Sequence, residues 1–291
     1  MKCLSQMSLV VAIPMVFLCS CGTSGKSLHP VVTGGKYGYI DRSGKLAIQP
    51  QFDNAGEFSN DMAPVQIGQK WGYIDTKGKL AITPQFEMAD PFSDDGLAVV
   101  GMAGKLGYVK KSGQLAVNPV YEGAGQFGNG LAPVSVNGRW GYIDGKGALA
   151  IPPQFDQAAS FSEGLAAVRI GQLHGFIDKN GRIEINPQYQ VAGDFHDGRA
   201  AVRSGGKYGY IGKDGKLIIA PQFDGAGDFI EGLAVVEIGH RFGYIDKKGK
   251  FEINPQFERA GAFQDGVAPV WVNGRQSYVN KDGKFVWNPA A

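Results

Sequence analysis

Cysteine is almost missing from this chain of 291 residues: Cys3, Cys19 and Cys21 all fall within the first 21 positions. Everything downstream must therefore hold together by packing, because no internal disulfide can form there. Histidine is as scarce, with only His29, His174, His196 and His240, each isolated. Without an HExxH or a clustered ligand set, no metal and no cofactor is expected. An excess of one charge is lacking too, since 29 Lys and Arg face 27 Asp and Glu. A net charge of +2 makes no field strong enough to gather phosphates, so nucleic acid is not expected as a partner. Composition also excludes a multi-span membrane protein, a disordered chain and a collagen-like one: 43% of residues are hydrophobic although 44 are Gly.

What the chain does have begins with an address. Residues 1–20 carry one early cation, Lys2, and an apolar stretch from Leu9 to Leu18 that is too short to span a bilayer but suits a secretory signal. The exit, Leu18-Cys19-Ser20-Cys21-Gly22, resembles the lipobox of bacterial lipoproteins. The resemblance implies removal of residues 1–20 and a diacylglycerol thioether on Cys21, followed by a lipidated N-terminus and tether over residues 21–34. No Asp follows Cys21, which implies transfer to the outer membrane, on a face the sequence leaves open.

Past the tether the chain repeats itself. An aromatic-Gly-aromatic triplet recurs with its Gly at 38, 72, 107, 141, 175, 209 and 243, and Ser277 takes the eighth place. A second Gly follows each by six residues and a Pro by twelve. Three registers kept in phase over eight copies mark a repeat architecture in which each copy is one supersecondary unit stacked on the next.

One copy, residues 130–161, shows what that unit is. Leu131 to Val136 is short and β-compatible, Asn137-Gly138 is a two-residue hairpin signal, and Trp140 to Asp144 alternates as a half-buried strand does. Asp144 then starts a type I turn that Gly147 closes in the left-handed conformation, and a third strand runs from Ala148 to Ile151. Pro152-Pro153 is expected to end it. The connector carries Phe155 and Phe161, and these aromatics recur in every complete copy, as do Tyr39, Tyr73, Tyr108, Tyr142, Phe176, Tyr210, Tyr244 and Tyr278. Recurrence at fixed phase means burial between units rather than a ladder for a ligand.

Lys70-Trp-Gly-Tyr-Ile-Asp75 and Pro221-Gln-Phe-Asp224 make the units resemble WG repeats of bacterial proteins, over residues 30–291. The resemblance implies a β-rich array and no shared catalytic residue. The fold class expected is all-β: eight antiparallel meanders of three strands, closed into a propeller-like ring, with an open solenoid as the alternative. The array begins in mid-unit, with Pro30 to Thr33 standing for a first strand, so the first strand of the chain is expected to complete the last blade.

Chemistry is hard to find in this pattern. The Asp-x-x-Gly turns place Lys where a calcium loop needs oxygen, no Gly-x-Ser-x-Gly elbow occurs, and Gly34-Gly35-Lys36 lies in a hairpin rather than before a helix. The carboxylates Asp94, Asp95, Glu163 and Glu231 obey the repeat and read as turn residues. The one local asymmetry gathers His196, Arg199 and Arg203 in the fifth connector, a candidate patch for an anion or an acidic partner. The expected function is a non-enzymatic, lipid-anchored binding or scaffold protein of the cell envelope, its partner a protein or polymer. The alternative is a carbohydrate-binding module or enzyme with a site in the central channel or on one face, where His174, His240, Trp271 and Trp287 would have to cluster.

Overall fold

The computed structural model describes residues 28–288; the leader, Cys21 and the first part of the tether lie outside the described residues. Within them, 31 strands form eight antiparallel sheets, each contiguous in the chain. The sheets are blades at residues 28–52, 54–86, 88–121, 123–155, 157–189, 191–223, 225–257 and 259–287, numbered 1 to 8.

Blade 4 shows how local chemistry draws this outline. Its second and third strands, Leu131–Val136 and Arg139–Asp144, are joined by Asn137 (φ 51°) and Gly138 (φ 73°), the two positive angles of the hairpin turn whose twist suits antiparallel strands. At the next turn the Asp144 carboxylate accepts the N–H groups of Ala148 and Lys146, both at 2.9 Å, and these bonds hold it below the usual carboxylate range. Gly147 closes the turn at φ 84°.

The outer strand, Leu149–Phe155, departs from expectation by running straight through Pro152 and Pro153. It is the edge of the sheet, where a missing N–H costs no ladder bond. Its register also explains the Gly of the triplet. Trp140 pairs with Phe155 and Tyr142 with Ile151, so three residues of the outer strand bulge over Gly141 alone. A Cβ on Gly141 would lie 2.5 Å from the Ile151 carbonyl oxygen. Ser277 fits the equivalent place because the outer strand of blade 8 is short, Phe285–Trp287, and the Ser277 hydroxyl meets the Asn288 amide oxygen at 3.2 Å.

The three-stranded meander requires correction. Seven blades have a fourth, inner strand, only two residues long in most of them: Gln157–Ala158, inside what reads as a connector, pairs with Arg169 and Val168. The connector thus ends one blade and begins the next.

Blades cohere through the aromatics. Tyr142 is wholly buried, its ring 4.8 Å from that of Phe161, and its hydroxyl donates to the Ala159 carbonyl at 2.8 Å; both partners belong to blade 5. The same contact joins Tyr39 to Phe58, Tyr108 to Phe127, Tyr210 to Phe229 and Tyr244 to Phe263. Around it lie clusters shared by two blades, such as Tyr142, Ile151 and Phe155 against Ala166, Val168 and Ile177. Phe176 has no hydroxyl and keeps the ring contact, 4.8 Å from Phe195.

The ring closes, though not by exchange of a strand. Leu28–Thr33 pairs with Lys36–Asp41 inside blade 1, and all four strands of blade 8 come from the C-terminal end. The expectation that the first strand completes the last blade is therefore overturned; the strand expected at Pro30 to Thr33 is present and begins at Leu28, inside the span 21–34 read as tether. Closure is made by side chains. Val31 and Ile40 pack on Val267 and Tyr278, and Arg42 of blade 1 pairs with Asp265 of blade 8 at 2.5 Å. Tyr278 finds no connector Phe beyond it; its ring lies 5.4 Å from that of His29, and its hydroxyl donates to the Pro30 carbonyl at 3.0 Å.

Gly141→Ala is expected to destabilise the protein by about 2–3 kcal/mol, because overpacking there is against backbone. Ser277→Gly is expected to change it by less than about 1 kcal/mol, the worth of one hydrogen bond. Thermal melting of the two variants checks the contrast.

Candidate functional site

The inner strands face the axis, and their alternation decides what lines it. Each buried connector Phe points into its blade, so the residues beside it turn the other way. Neighbouring inner segments are tied together: Ser59 Oγ donates to the Phe92 carbonyl at 2.6 Å and Ser160 Oγ to the Gln126 carbonyl at 2.7 Å. Blade 1 has no inner strand among the described residues, and Gln264 of blade 8 reaches past it to donate to the Phe58 carbonyl of blade 2 at 3.2 Å.

Two of the cavities that result share Asp90 on their walls. One, of about 640 Å³, lies among the inner segments of blades 3 to 7 and is lined by Asp94, Glu163, Asp194, His196 and Glu231 among others. The other, of about 240 Å³, lies at the closure between His29, Glu57, Phe58, Phe263 and Gln264.

The walls are acidic. Burial pushes the Asp90 carboxyl up to about 6. Asp194 and Asp228 stand at the same phase of adjacent blades, and burial raises both, with the charge of Asp194 adding to the effect on Asp228. Asp194 Oδ1 is buried without a hydrogen-bond partner among the described residues. His196 Nε2 lies 3.8 Å from Asp228 Oδ2, and burial lowers its pKa. No group of three or more His, Cys, Asp or Glu among the described residues is arranged to hold a metal ion.

The candidate anion patch is only partly assembled. His196 and Arg199 exchange backbone hydrogen bonds across the inner turn of blade 6, at 2.8 and 3.0 Å. Arg203 lies four residues along the strand Arg199–Ser204, roughly 13 Å away. The Arg199 guanidinium stands 5.6 Å from the Phe229 ring and donates to the Asp197 carbonyl; Arg203 stands 5.9 Å from the Tyr208 ring and donates to the Gly206 carbonyl. Both cations thus make contacts within the blades, Arg199 Nε being buried without a hydrogen-bond partner among the described residues, and a carboxylate, Asp228, stands beside His196.

The other residues that break the repeat do not meet. His174 lies on blade 5 with Nδ1 3.1 Å from the Gln190 carbonyl oxygen, His240 is fully exposed on the hairpin of blade 7, Trp271 lies on the second strand of blade 8, and Trp287 packs on Tyr278. Sequence reasoning missed Glu57, Asp90, Asp194 and Asp228. For Glu57, Asp194 and Asp228 the signal was available: directly before the constant connector Phe stand Glu57, Pro91, Gln126, Ser160, Asp194, Asp228 and Ala262, a phase with no common chemistry. A position that varies freely beside an invariant core residue faces an opening.

The turn acids do more than solvate a turn. Gly198 N–H donates to the Glu163 carboxylate at 3.1 Å, Gly232 N–H to Asp197 at 3.1 Å and Gly266 N–H to Glu231 at 3.0 Å, each linking one blade to the next around the mouth of the larger cavity.

Eight four-stranded or near-complete meanders, packed side by side around an axis and closed end to end, define an eight-bladed β-propeller. The model of the family described as WG containing repeat matches residues 37–71, 71–105, 107–140, 140–173, 175–208, 208–239 and 242–275, and the chain belongs to that family. No curated protein matches the chain by sequence. Among solved structures it is similar to AztD from Citrobacter koseri (TM-score 0.57, 14% identity, 89% of this chain and 93% of that one). It is also similar to the dihydro-heme d1 dehydrogenase NirN (TM-score 0.58, 14% identity, 92% and 74%). A third likeness is to PorZ, a surface component of the type-IX secretion system of Porphyromonas gingivalis (TM-score 0.52, 9% identity), covering 91% of this chain but only 39% of that one. At such identities the likeness is one of fold alone.

The sign of the pH dependence at Asp90 follows from its raised pKa. Between about pH 4 and pH 6 the native carboxyl keeps a proton that the unfolded chain releases, so this group costs stability as pH rises through that window. Asp90→Asn is expected to raise stability by about 1–2 kcal/mol near pH 8 and to leave it unchanged near pH 4. Denaturant melts at the two pH values measure it.

Proposed function

We propose that this propeller is a non-enzymatic binding module of the bacterial cell envelope, anchored through a lipidated Cys21 in the outer membrane and holding a protein or polymer partner on its repeat surface. The observation that carries the reading is the scatter of His174, His240, Trp271 and Trp287 over three blades, none of which brings a nucleophile to a base. A rigid ring with the same backbone eight times over offers a broad surface without needing a reactive centre.

A second reading has one observation in its favour. The carboxyls of Asp90 and Asp194 line the larger cavity, Asp228 stands at the phase of Asp194 on the next blade, and all three are raised by burial, as groups at ligand or catalytic sites are. A sugar or another polyhydroxylated ligand with donors to spare suits such a wall, so a carbohydrate-binding or enzymatic role in the channel is the rival.

Two measurements separate these readings. Radiolabelled palmitate is expected to enter the wild-type chain in a bacterial host and not Cys21→Ser, which moves to the soluble fraction; equal labelling would refute the anchor. A glycan array with the unlipidated chain is expected to be blank while envelope extracts yield a stoichiometric partner. Glycan binding abolished by Asp194→Asn would instead establish the channel site.

A further inference from the structure

Seven blades open with an inner strand, whereas blade 1 opens with Leu28–Thr33, whose inner edge pairs with no described residue. The corresponding edge of blade 2 is occupied. Gly56 N–H donates to the Pro64 carbonyl at 2.9 Å, Asp53 N–H to the Gln66 carbonyl at 3.0 Å, and Ser59 and Met62 exchange two bonds, at 2.9 and 3.2 Å. In blade 1 the residues at those phases are Pro30, Val32 and Leu28, and Val32 is 41% exposed. The smaller cavity lies where the ring calls for a blade 1 connector, between Ala262, Phe263 and Gln264 of blade 8 and Gly56 to Ser59 of blade 2.

The chain upstream of Leu28 carries residues suited to such a segment. Counted back by the interval of 34 between Gly38 and Gly72, residues 56–61 fall on residues 22–27. Where the second strand has Pro64, Pro133 or Pro269, the inner segment has Gly56, Gly125 or Gly261, because a Cβ there would lie 2.7 or 2.8 Å from the Pro Cγ. Blade 1 has Pro30 and, at the matching place, Gly22. Thr23 takes the phase of Ser160, whose hydroxyl donates to the Gln126 carbonyl of the preceding blade; the equivalent carbonyl for Thr23 is that of Ala262. Ser24 stands where the other connectors have Phe, and a small side chain suits that place because His29 already lies against Tyr278.

The inner turns supply an independent count. Glu163 holds two groups of the following blade, the Gly198 N–H 35 residues on and the Lys213 ammonium 50 residues on. Asp197 holds Gly232 and Lys247, and Glu231 holds Gly266 and Lys281. At the closure Asp265 holds Arg42, which stands at the phase of Lys213. The other group in this series is the backbone N–H of Ser27.

We propose that residues 22–27 of this chain dock in the smaller cavity as the inner strand of blade 1, with Gly22 N–H donating to the Pro30 carbonyl, the Thr23 hydroxyl to the Ala262 carbonyl and Ser27 N–H to the Asp265 carboxylate. A carbonyl accepts two donors, so Pro30 keeps its bond from Tyr278. The docked segment runs antiparallel to Leu28–Thr33, towards the hairpins, and takes up the slack between Cys21 and the ring. The ring is then held by its hairpin end instead of swinging on a free tether. That consequence rests on the Cys21 anchor proposed above; the docking does not.

Amide exchange measured by NMR on the chain from residue 21 onward, with Cys21→Ser, tests the docking. The amides of Gly25, at the phase of Ser59, and of Ser27 are expected to exchange about a hundredfold or more slowly than in a peptide of residues 21–28. Gly22→Ala sets a Cβ against Pro30 and is expected to remove most of this protection. Adding Pro30→Ala is expected to restore it, since Ala159 meets Ala167 in blade 5, and Pro30→Ala alone is expected to keep it. Thermal melting verifies that the ring is folded in each variant. Exchange at the peptide rate in the parent, or protection indifferent to Gly22→Ala, overturns the proposal. So does protection that grows with protein concentration beside a dimeric mass in light scattering, which gives the edge to a second copy, or protection that arises only with envelope extract, which gives it to a partner's strand. Palmitate labelling at Cys21 reads the anchor separately, so failure of the anchor and failure of the docking give different results.

Discussion

One contact carries the ring: the tyrosine of each third strand set against the phenylalanine that opens the following blade. A single blade is a twisted sheet with apolar side chains on both faces, and it has no partner of its own. Tyr142 and Phe161 each become buried only because the other lies on the next blade, 4.8 Å between centroids. Large side chains of this kind bury most area per residue and favour tilted or edge geometries, which the blades repeat nearly unchanged. The hydroxyl adds direction. Its bond to a carbonyl of the following inner strand fixes where that strand lies, so the residue that fills the core also sets the wall of the channel.

Seen this way, the repeat in the sequence and the blade in the structure are out of step. The sequence repeats from aromatic triplet to aromatic triplet, and the family matches break at the same place, whereas blades break inside the connector, at positions such as Asp156. The stagger means that each repeat, as written, is half of one blade and half of the next, and its conserved contacts are the contacts between them. The closure follows the same logic. Where the connector Phe is lacking at the end of the array, His29 takes up position against Tyr278, and Arg42 with Asp265 repeats the turn-to-turn pairing that Lys213 makes with Glu163 elsewhere.

What could be read from the residues was whatever recurs. The hairpin at Asn137-Gly138, the Asp144 to Gly147 turn and the burial of the tyrosines were legible because eight copies constrain each of them and the turn chemistry is local. The inner strand escaped because two residues, Gln157 and Ala158, show no alternation and gain strand character only from pairing with Arg169 and Val168. The outer strand was cut short at Pro152 because proline's rule depends on whether a strand is central or at an edge, and a sequence does not say which. Glu57, Asp194 and Asp228 escaped for the opposite reason: they lie at the phase where the copies disagree, and attention to recurrence passes over it, while Asp90 stands one place earlier, where the other copies have Gly or Ala. His196, Arg199 and Arg203 were grouped by proximity in sequence, and an extended strand separates such neighbours at about 3.3 Å per residue.

The two kinds of turn satisfy their backbones in different ways. At the hairpin end the exposed N–H of the turn glycine is met by an acid from a different segment: Gly68 donates to Asp53 and Gly171 to Asp156, both at 2.7 Å. Such an acid stands beside the hairpin and still has an oxygen for the neighbouring cation, as Asp156 has for Arg139. At the outer turns the acid is the first residue of the turn itself. Asp144 and Asp246 spend one oxygen on two N–H groups of their own loop, which folds the carboxylate over its own backbone. Repeated around the ring, these are two ordinary solutions to the same hydrogen-bonding problem: an acid taken from a different segment at the hairpins, and an acid of the loop itself at the outer turns.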